Sequence, residues 1–190
     1  MVRLPQGFKG AGVSAGIKSS GAKDLALLVN EGPHFFGTAV FTSNKVVAAP
    51  VTWSKQVVAD QEVSAIILNS GGANACTGPE GFADTHRTAE YVAEKLGVSA
   101  GDVIVCSTGL IGTRLPMDNL LKGIDSAISQ LEPDTGLDLA TAIMTTDSRA
   151  KYFEKEFKGV RFFGIAKGAG MLAPSLATML CVIATDAVLS

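Results

Sequence analysis

Val63-Ser64-Ala65-Ile66-Ile67-Leu68 and, further along, Asp102-Val103-Ile104-Val105-Cys106-Ser107 are two short apolar runs rich in β-branched residues. Runs of this length and composition read as buried strands. Between them Phe82, His86, Ala89, Ala93 and Leu96 recur at helical spacing, and Gly97 suits a C-terminal cap. That spacing places His86 on the apolar side of the helix. After the second run, Pro116 opens another helix with Leu120, Leu121, Ile124, Ile128 and Leu131 on one face. Strand, helix, strand, helix in this order implies a layered α/β domain. Residues 69–81 and 108–112 are then loops.

Outward from this centre the reading is coarser. Residues 7–21 form a glycine-serine-lysine stretch of turns and short strands. Residues 24–29 and 38–42 are strand-like, with a turn at Gly32-Pro33 between them. Pro50 opens a helix over residues 49–60, and residues 137–145 form a short one. Residues 160–166 and 179–188 read as strands. The last of these is apolar and needs neighbours to bury it.

Composition narrows the class of function. The chain has 190 residues, enough for one sizeable domain, and is 47% apolar and 18% charged, which is globular composition. Its 16 basic and 18 acidic residues are well mixed, giving a formal net charge of −2, and no basic block points to nucleic acid. The N-terminus lacks the apolar core of a signal peptide, and no apolar run is long enough to cross a bilayer. Cys76, Cys106 and Cys181 are too widely spaced for a metal knuckle or a disulfide framework, so a reducing cytosol is the expected compartment.

Three stretches carry chemistry. In Lys167–Asp186, KGAGMLAPSLATMLCVIATD, Gly168 and Gly170 allow tight turns, and an apolar strand begins directly after Ala177-Thr178. On local pattern alone Thr178 is an ordinary strand threonine. Ser107-Thr108-Gly109-Leu110-Ile111-Gly112 follows a buried strand, where backbone N–H groups can converge on a developing anion. A plain β-α turn fits it equally, and a phosphate loop fits poorly because the Lys-Ser/Thr of a P-loop is missing. Ala142-Ile143-Met144-Thr145-Thr146-Asp147 reads as a helix end with a capping-type Asp. By itself Lys167 is a solvated strand-end lysine. A Cys76–His86 dyad is conceivable but disfavoured, and the glycines and asparagines of Asn69-Ser70-Gly71-Gly72-Ala73-Asn74 better suit a loop beside a pocket.

Together these stretches closely resemble the ornithine acetyltransferase family of arginine biosynthesis. The resemblance runs from Gly7-Phe8 through Gly16-Ile17-Lys18 to Thr185-Asp186 and covers about half of a full family member. It implies a layered α/β/β/α sandwich of the ornithine acetyltransferase and aminopeptidase-like type, with only the N-terminal half present. It implies self-cleavage between Ala177 and Thr178, so that residues 1–177 are an α chain and residues 178–190 the start of a β chain. Thr178 is then the nucleophile, and its freed α-amine is the base for its own hydroxyl. Thr108 and Gly109 become the oxyanion hole, and Thr145, Lys167 and Thr178 substrate contacts.

The implied reaction is that of a glutamate N-acetyltransferase, which moves the acetyl group of N-acetylornithine to glutamate and releases ornithine. Acetyl-CoA serves some family members as donor. No metal and no tightly bound cofactor is implied. The partners are the protein's own β fragment, in an α2β2 assembly, and neither nucleic acid nor a membrane. The further β-chain contacts lie outside this sequence, so the 190 residues alone are expected to be inactive. A Thr-nucleophile hydrolase passing the acyl group to water, and a non-catalytic α/β module, are the competing readings.

Overall fold

Asp24-Leu25-Ala26-Leu27-Leu28-Val29 shows no apolar-polar alternation because both faces of this strand are buried. The computed structural model describes residues 1–169 and 178–188. In it four strands form one sheet in the order β1 (Phe8–Val13), β2 (Leu25–Asn30), β3 (Ala65–Gly72), β4 (Val103–Leu110). β2 pairs antiparallel with β1 and β3, while β3 and β4 run parallel. Successive side chains of β2 divide between two cores. Leu25, Leu27 and Val29 enter one and Ala26 and Leu28 the other.

The first core lies under three helices, α1 (Ala49–Val57), α2 (Gly78–Leu96) and α3 (Met117–Ser129). Trp53 and Val57, Ala89 and Val92, and Leu120 and Ile124 supply its helical side. α1 also closes the outer edge of β4. The Trp53 indole donates to the Val103 carbonyl at 2.9 Å, and the Ser54 hydroxyl donates to Val105 at 2.8 Å and accepts from its N–H at 3.1 Å. These bonds occupy backbone groups that an edge strand would otherwise leave unpaired. Gly97 caps α2 in the left-handed conformation, as the spacing predicts.

The second core holds α4 (Gly136–Ala142) and a three-stranded antiparallel sheet, β5 (Lys151–Phe157), β6 (Val160–Lys167) and β7 (Leu180–Thr185). Leu139, Ala140 and Ile143 meet Phe163, Ile165, Val182 and Ala184 there. α4 lies so close on β1 that a Cβ at Gly12 would sit 2.2 Å from the Asp138 carbonyl oxygen. The described layers are therefore helix, sheet, then α4 with the second sheet. The fourth, helical layer of the expected sandwich is not among the described residues.

Several expectations change. Residues 38–42 are not a strand, since β1 and β3 already take both edges of β2, and only Phe36 bridges, to Glu62. β3 and β4 run to Gly72 and Leu110, into segments read as loops, because the two glycine-bearing ends continue the parallel ladder. The buried face of α2 is Asp84, Thr85, Thr88, Ala89, Val92 and Ala93, so His86 is exposed rather than on the apolar side. The sequence pattern does not mark β5. Every one of its residues is exposed, so no burial pattern marks it. Its hairpin to β6 turns at Lys158-Gly159, both with positive φ, the conformation of a primed two-residue turn. Among the described residues no helix is long and apolar enough to cross a membrane.

One buried carboxylate fastens the second sheet to the chain leaving α4. Asp147 accepts from the Lys151 ammonium at the start of β5, from the Gly168 N–H beyond β6 at 3.0 Å and from the Thr145 N–H at 3.2 Å. Burial opposes its charge, but the Lys151 ammonium and the two backbone donors outweigh it and hold the carboxyl at about 2. A group whose folded value is depressed contributes stability above its unfolded value, near 3.9, and loses it as pH falls towards 2. Acid melts are expected to show Tm falling between about pH 4 and pH 2, with a shallower fall in Asp147→Asn. Ile124→Ala, at a fully buried position, is expected to cost about 3 kcal/mol in urea unfolding.

Candidate active site

The parallel ladder of β3 and β4 sets Ser70 beside Thr108 and Gly71 beside Gly109, and slips in register at Gly72. Gly109 has φ +132°, and a Cβ there would lie 2.5 Å from the Gly71 carbonyl carbon. Any larger residue would push the two strand ends apart. Gly109 is thus required by its neighbouring strand, whatever else approaches it. Thr108 is buried, Gly109 exposed, so the pair spans the step from core to surface. Behind them the Ser107 hydroxyl donates to Asn69 Oδ1 at 2.6 Å, and Asn69 Nδ2 donates to the Gly72 carbonyl at 2.9 Å. The Ser70 hydroxyl reaches the Ala142 carbonyl at the end of α4.

Lys167 closes β6 and crosses to this point. Its side chain is buried, with 5% of the residue exposed. The ammonium donates to Thr108 Oγ1 at 3.1 Å and to the Thr178 carbonyl at 3.3 Å. Burial pushes its pKa down, Asp147 opposes that shift, and Lys151 adds to it. A lysine donates only. Thr108 therefore accepts from it, and its own hydroxyl hydrogen remains to be given to a third group.

Thr178 precedes β7, is partly buried, and is held by its carbonyl oxygen. Ala177 lies outside the described residues, as do the glycine, proline and leucine positions of residues 170–176. Thr145 is a partly buried bend residue, joined to the group through its N–H on Asp147, which also holds Gly168 next to Lys167. Of the residues singled out in the sequence, the structure thus brings Thr108, Gly109, Lys167 and Thr178 together directly, and Thr145 through Asp147. From sequence alone Asp147 reads as a cap, with no part in a site. Its spacing from Lys151 gave no hint of the backbone it would hold.

The alternative dyad does not form. His86 pairs with Glu90 at 3.7 Å and lies edge-on to Trp53, with ring centroids 5.0 Å apart. Asn74 organises the loop instead. Its amide donates to the Gly81 carbonyl at 2.8 Å and to Thr85 Oγ1 at 2.9 Å, while Thr77 donates to its oxygen at 2.7 Å. The Cys106 thiol is pushed up to about 12 by burial and is no nucleophile.

Comparison with known proteins agrees on one family. A family model described as the ArgJ family matches residues 9–190. The arginine biosynthesis bifunctional protein ArgJ of Thermobifida fusca is 57% identical over 189 residues, 100% of this chain and 49% of its own length. The protein of the same name from Streptomyces coelicolor is 59% identical over 186 residues, 98% of this chain and 49% of its own. The chain spans about half the length of these curated relatives. Among solved structures, the ornithine acetyltransferase of Mycobacterium tuberculosis complexed with ornithine matches with TM-score 0.81 and 48% identity, over 93% of this chain and 94% of that one. The ArgJ protein of Bacillus halodurans matches with TM-score 0.74 and 33% identity, over 93% of this chain and 92% of that one. The chain therefore belongs to the ArgJ family.

Proposed function

We propose that the full-length protein transfers the acetyl group of N-acetylornithine to glutamate through an acetyl-threonine at Thr178, formed after the protein cuts itself between Ala177 and Thr178. The observation that carries this is the convergence of Lys167 on both Thr108 and the backbone of Thr178, which ties the nucleophile's chain to the candidate oxyanion site. Two lengths add support. Curated M. tuberculosis ArgJ is matched over 48% of its length, while the solved M. tuberculosis acetyltransferase chain is matched over 94%. A half-length chain is what a single internal cut would leave.

In the cut, the Thr178 hydroxyl adds to the Ala177 carbonyl, its proton passes to the Thr178 nitrogen, and the Ala177–Thr178 C–N bond breaks, leaving an ester and a free amine. Water then opens the ester to the Ala177 carboxylate and a free Thr178. In transfer, the new amine accepts the hydroxyl proton as the oxygen attacks the acetyl carbonyl, and the proton passes to the departing ornithine amine. The Thr108 hydroxyl, whose own hydrogen is left free by the bond it accepts from Lys167, and the Gly109 backbone stabilise the tetrahedral oxyanion. Glutamate repeats the attack on acetyl-Thr178 and leaves as N-acetylglutamate. Thr145 and Lys167 contact the substrate, the ammonium facing its carboxylate. The fragment 1–177 stays with its β chain in an α2β2 particle in the cytosol, no metal or bound cofactor takes part, and acetyl-CoA is a second donor, in keeping with the bifunctional name of the relatives.

In the full-length protein, Thr178→Ala is expected to remain one polypeptide by intact mass and to make no N-acetylglutamate, while Thr178→Ser still cuts and transfers. A two-fragment Thr178→Ala protein would overturn the assignment. Thr108→Ala in the matured enzyme is expected to lose about 10²- to 10³-fold in kcat, read from steady-state acetyl transfer.

A further inference from the structure

The connection from β1 to β2 is longer than two antiparallel neighbours need, and it is held by a carboxylate that takes no part in the chemistry above. Asp24 is fully buried, and its oxygens accept from the N–H groups of Ala15 at 2.6 Å, Ile17 at 2.7 Å and Lys18 at 2.8 Å. Burying an ionised carboxylate is costly unless such donors surround it. The three bonds fold Ile17 and Lys18 down onto β3. A Cβ added at Gly71 would meet Ile17 at 2.9 Å and Lys18 Cγ at 3.3 Å. Gly71 is the register partner of Gly109. The stem of Lys18 therefore crosses the strand end that backs the Thr108–Gly109 pair.

We propose that Lys18 is a second substrate-binding cation of this site, holding the side-chain carboxylate of the acetyl acceptor. The proposal rests on the acetyl-transfer reading of the site. The Lys18 ammonium donates to the Lys23 carbonyl at 3.0 Å, its acceptor among the described residues, and so has N–H groups left to offer. It is partly buried. Burial lowers its pKa, Asp24 and Asp147 oppose this, and the positive charge of Lys167 adds to the lowering. Neither nearby carboxylate can serve as the missing anion, since Asp24 is committed to three N–H groups and Asp147 to Lys151, Gly168 and Thr145.

The charge count of the two substrates then decides the role. N-acetylornithine brings one carboxylate and a cationic or acylated side chain, and one lysine answers it. Glutamate brings two carboxylates, and the second needs another cation. Lys167 faces the carboxylate common to both substrates, and Lys18 faces the one that only the acceptor has.

The test uses the full-length matured enzyme and its Lys18→Gln and Lys18→Arg variants. Ornithine release from N-acetylornithine in a single turnover reads the donor step, and the KM values for glutamate and for glutamine as acceptor read the other. Lys18→Gln is expected to raise the glutamate KM about tenfold or more and to erase most of the preference for glutamate over glutamine, as loss of a charged hydrogen bond does. The donor step falls far less, and Lys18→Arg recovers much of the glutamate KM. An unchanged preference for glutamate in Lys18→Gln, or equal loss in both steps and in both variants, overturns the proposal. A wild-type enzyme that forms no acetyl-enzyme from N-acetylornithine overturns the underlying reading instead.

Discussion

A buried ammonium joins the two sheets of this chain at one point. Lys167 belongs to β6 in the second sheet, donates to Thr108 on β4 in the first, and reaches the backbone of Thr178 before β7. Desolvation makes such a group expensive, so it persists only where oxygen atoms receive it. Here the oxygens come from the candidate oxyanion residue and the candidate nucleophile. The two oxygen atoms that satisfy the lysine also set the separation of the two candidate threonines. Removing the ammonium leaves both oxygens without this donor.

Two buried carboxylates do comparable work on either side. Asp147 binds the backbone around Thr145 and Gly168, and Asp24 binds the backbone of residues 15–18. Both are satisfied largely by N–H groups of loops, which fixes the backbone of those loops. Rigid strand ends, a bridging lysine and two tethered loops make a site whose first contacts are placed before a substrate arrives, the condition under which hydrogen bonds stabilise a developing charge most.

The second sheet is covered on one side only within the described chain. Phe163, Ile165, Val182 and Ala184 face the core, while Phe153, Phe157, Met179 and Ile183 are exposed. Exposed apolar surface of this kind marks a face that other elements or partners can cover, and the chain spans about half the length of its curated relatives.

The α/β class and the main elements were legible in the sequence for different local reasons: α2 and α3 show apolar residues at helical spacing, α1 is marked by Pro50, and strands buried on both faces stand out as short unbroken apolar runs. The glycine, threonine and lysine positions of the site were legible through their resemblance to a family, not through their pattern, since each is ordinary in isolation. Tertiary structure alone decided the rest. β5 carries no burial signal, so only its pairing with β6 makes it a strand. The strands reach into Gly72 and Leu110 because two glycine ends can approach closely, a fact about neighbours. His86 left the apolar face because the helix rotates to bury Asp84, Thr85 and Thr88, whose polar groups find partners that spacing cannot show. The roles of Asp24, Asp147 and Lys18 depend on which backbone each meets across many residues, and a linear sequence holds no record of that distance.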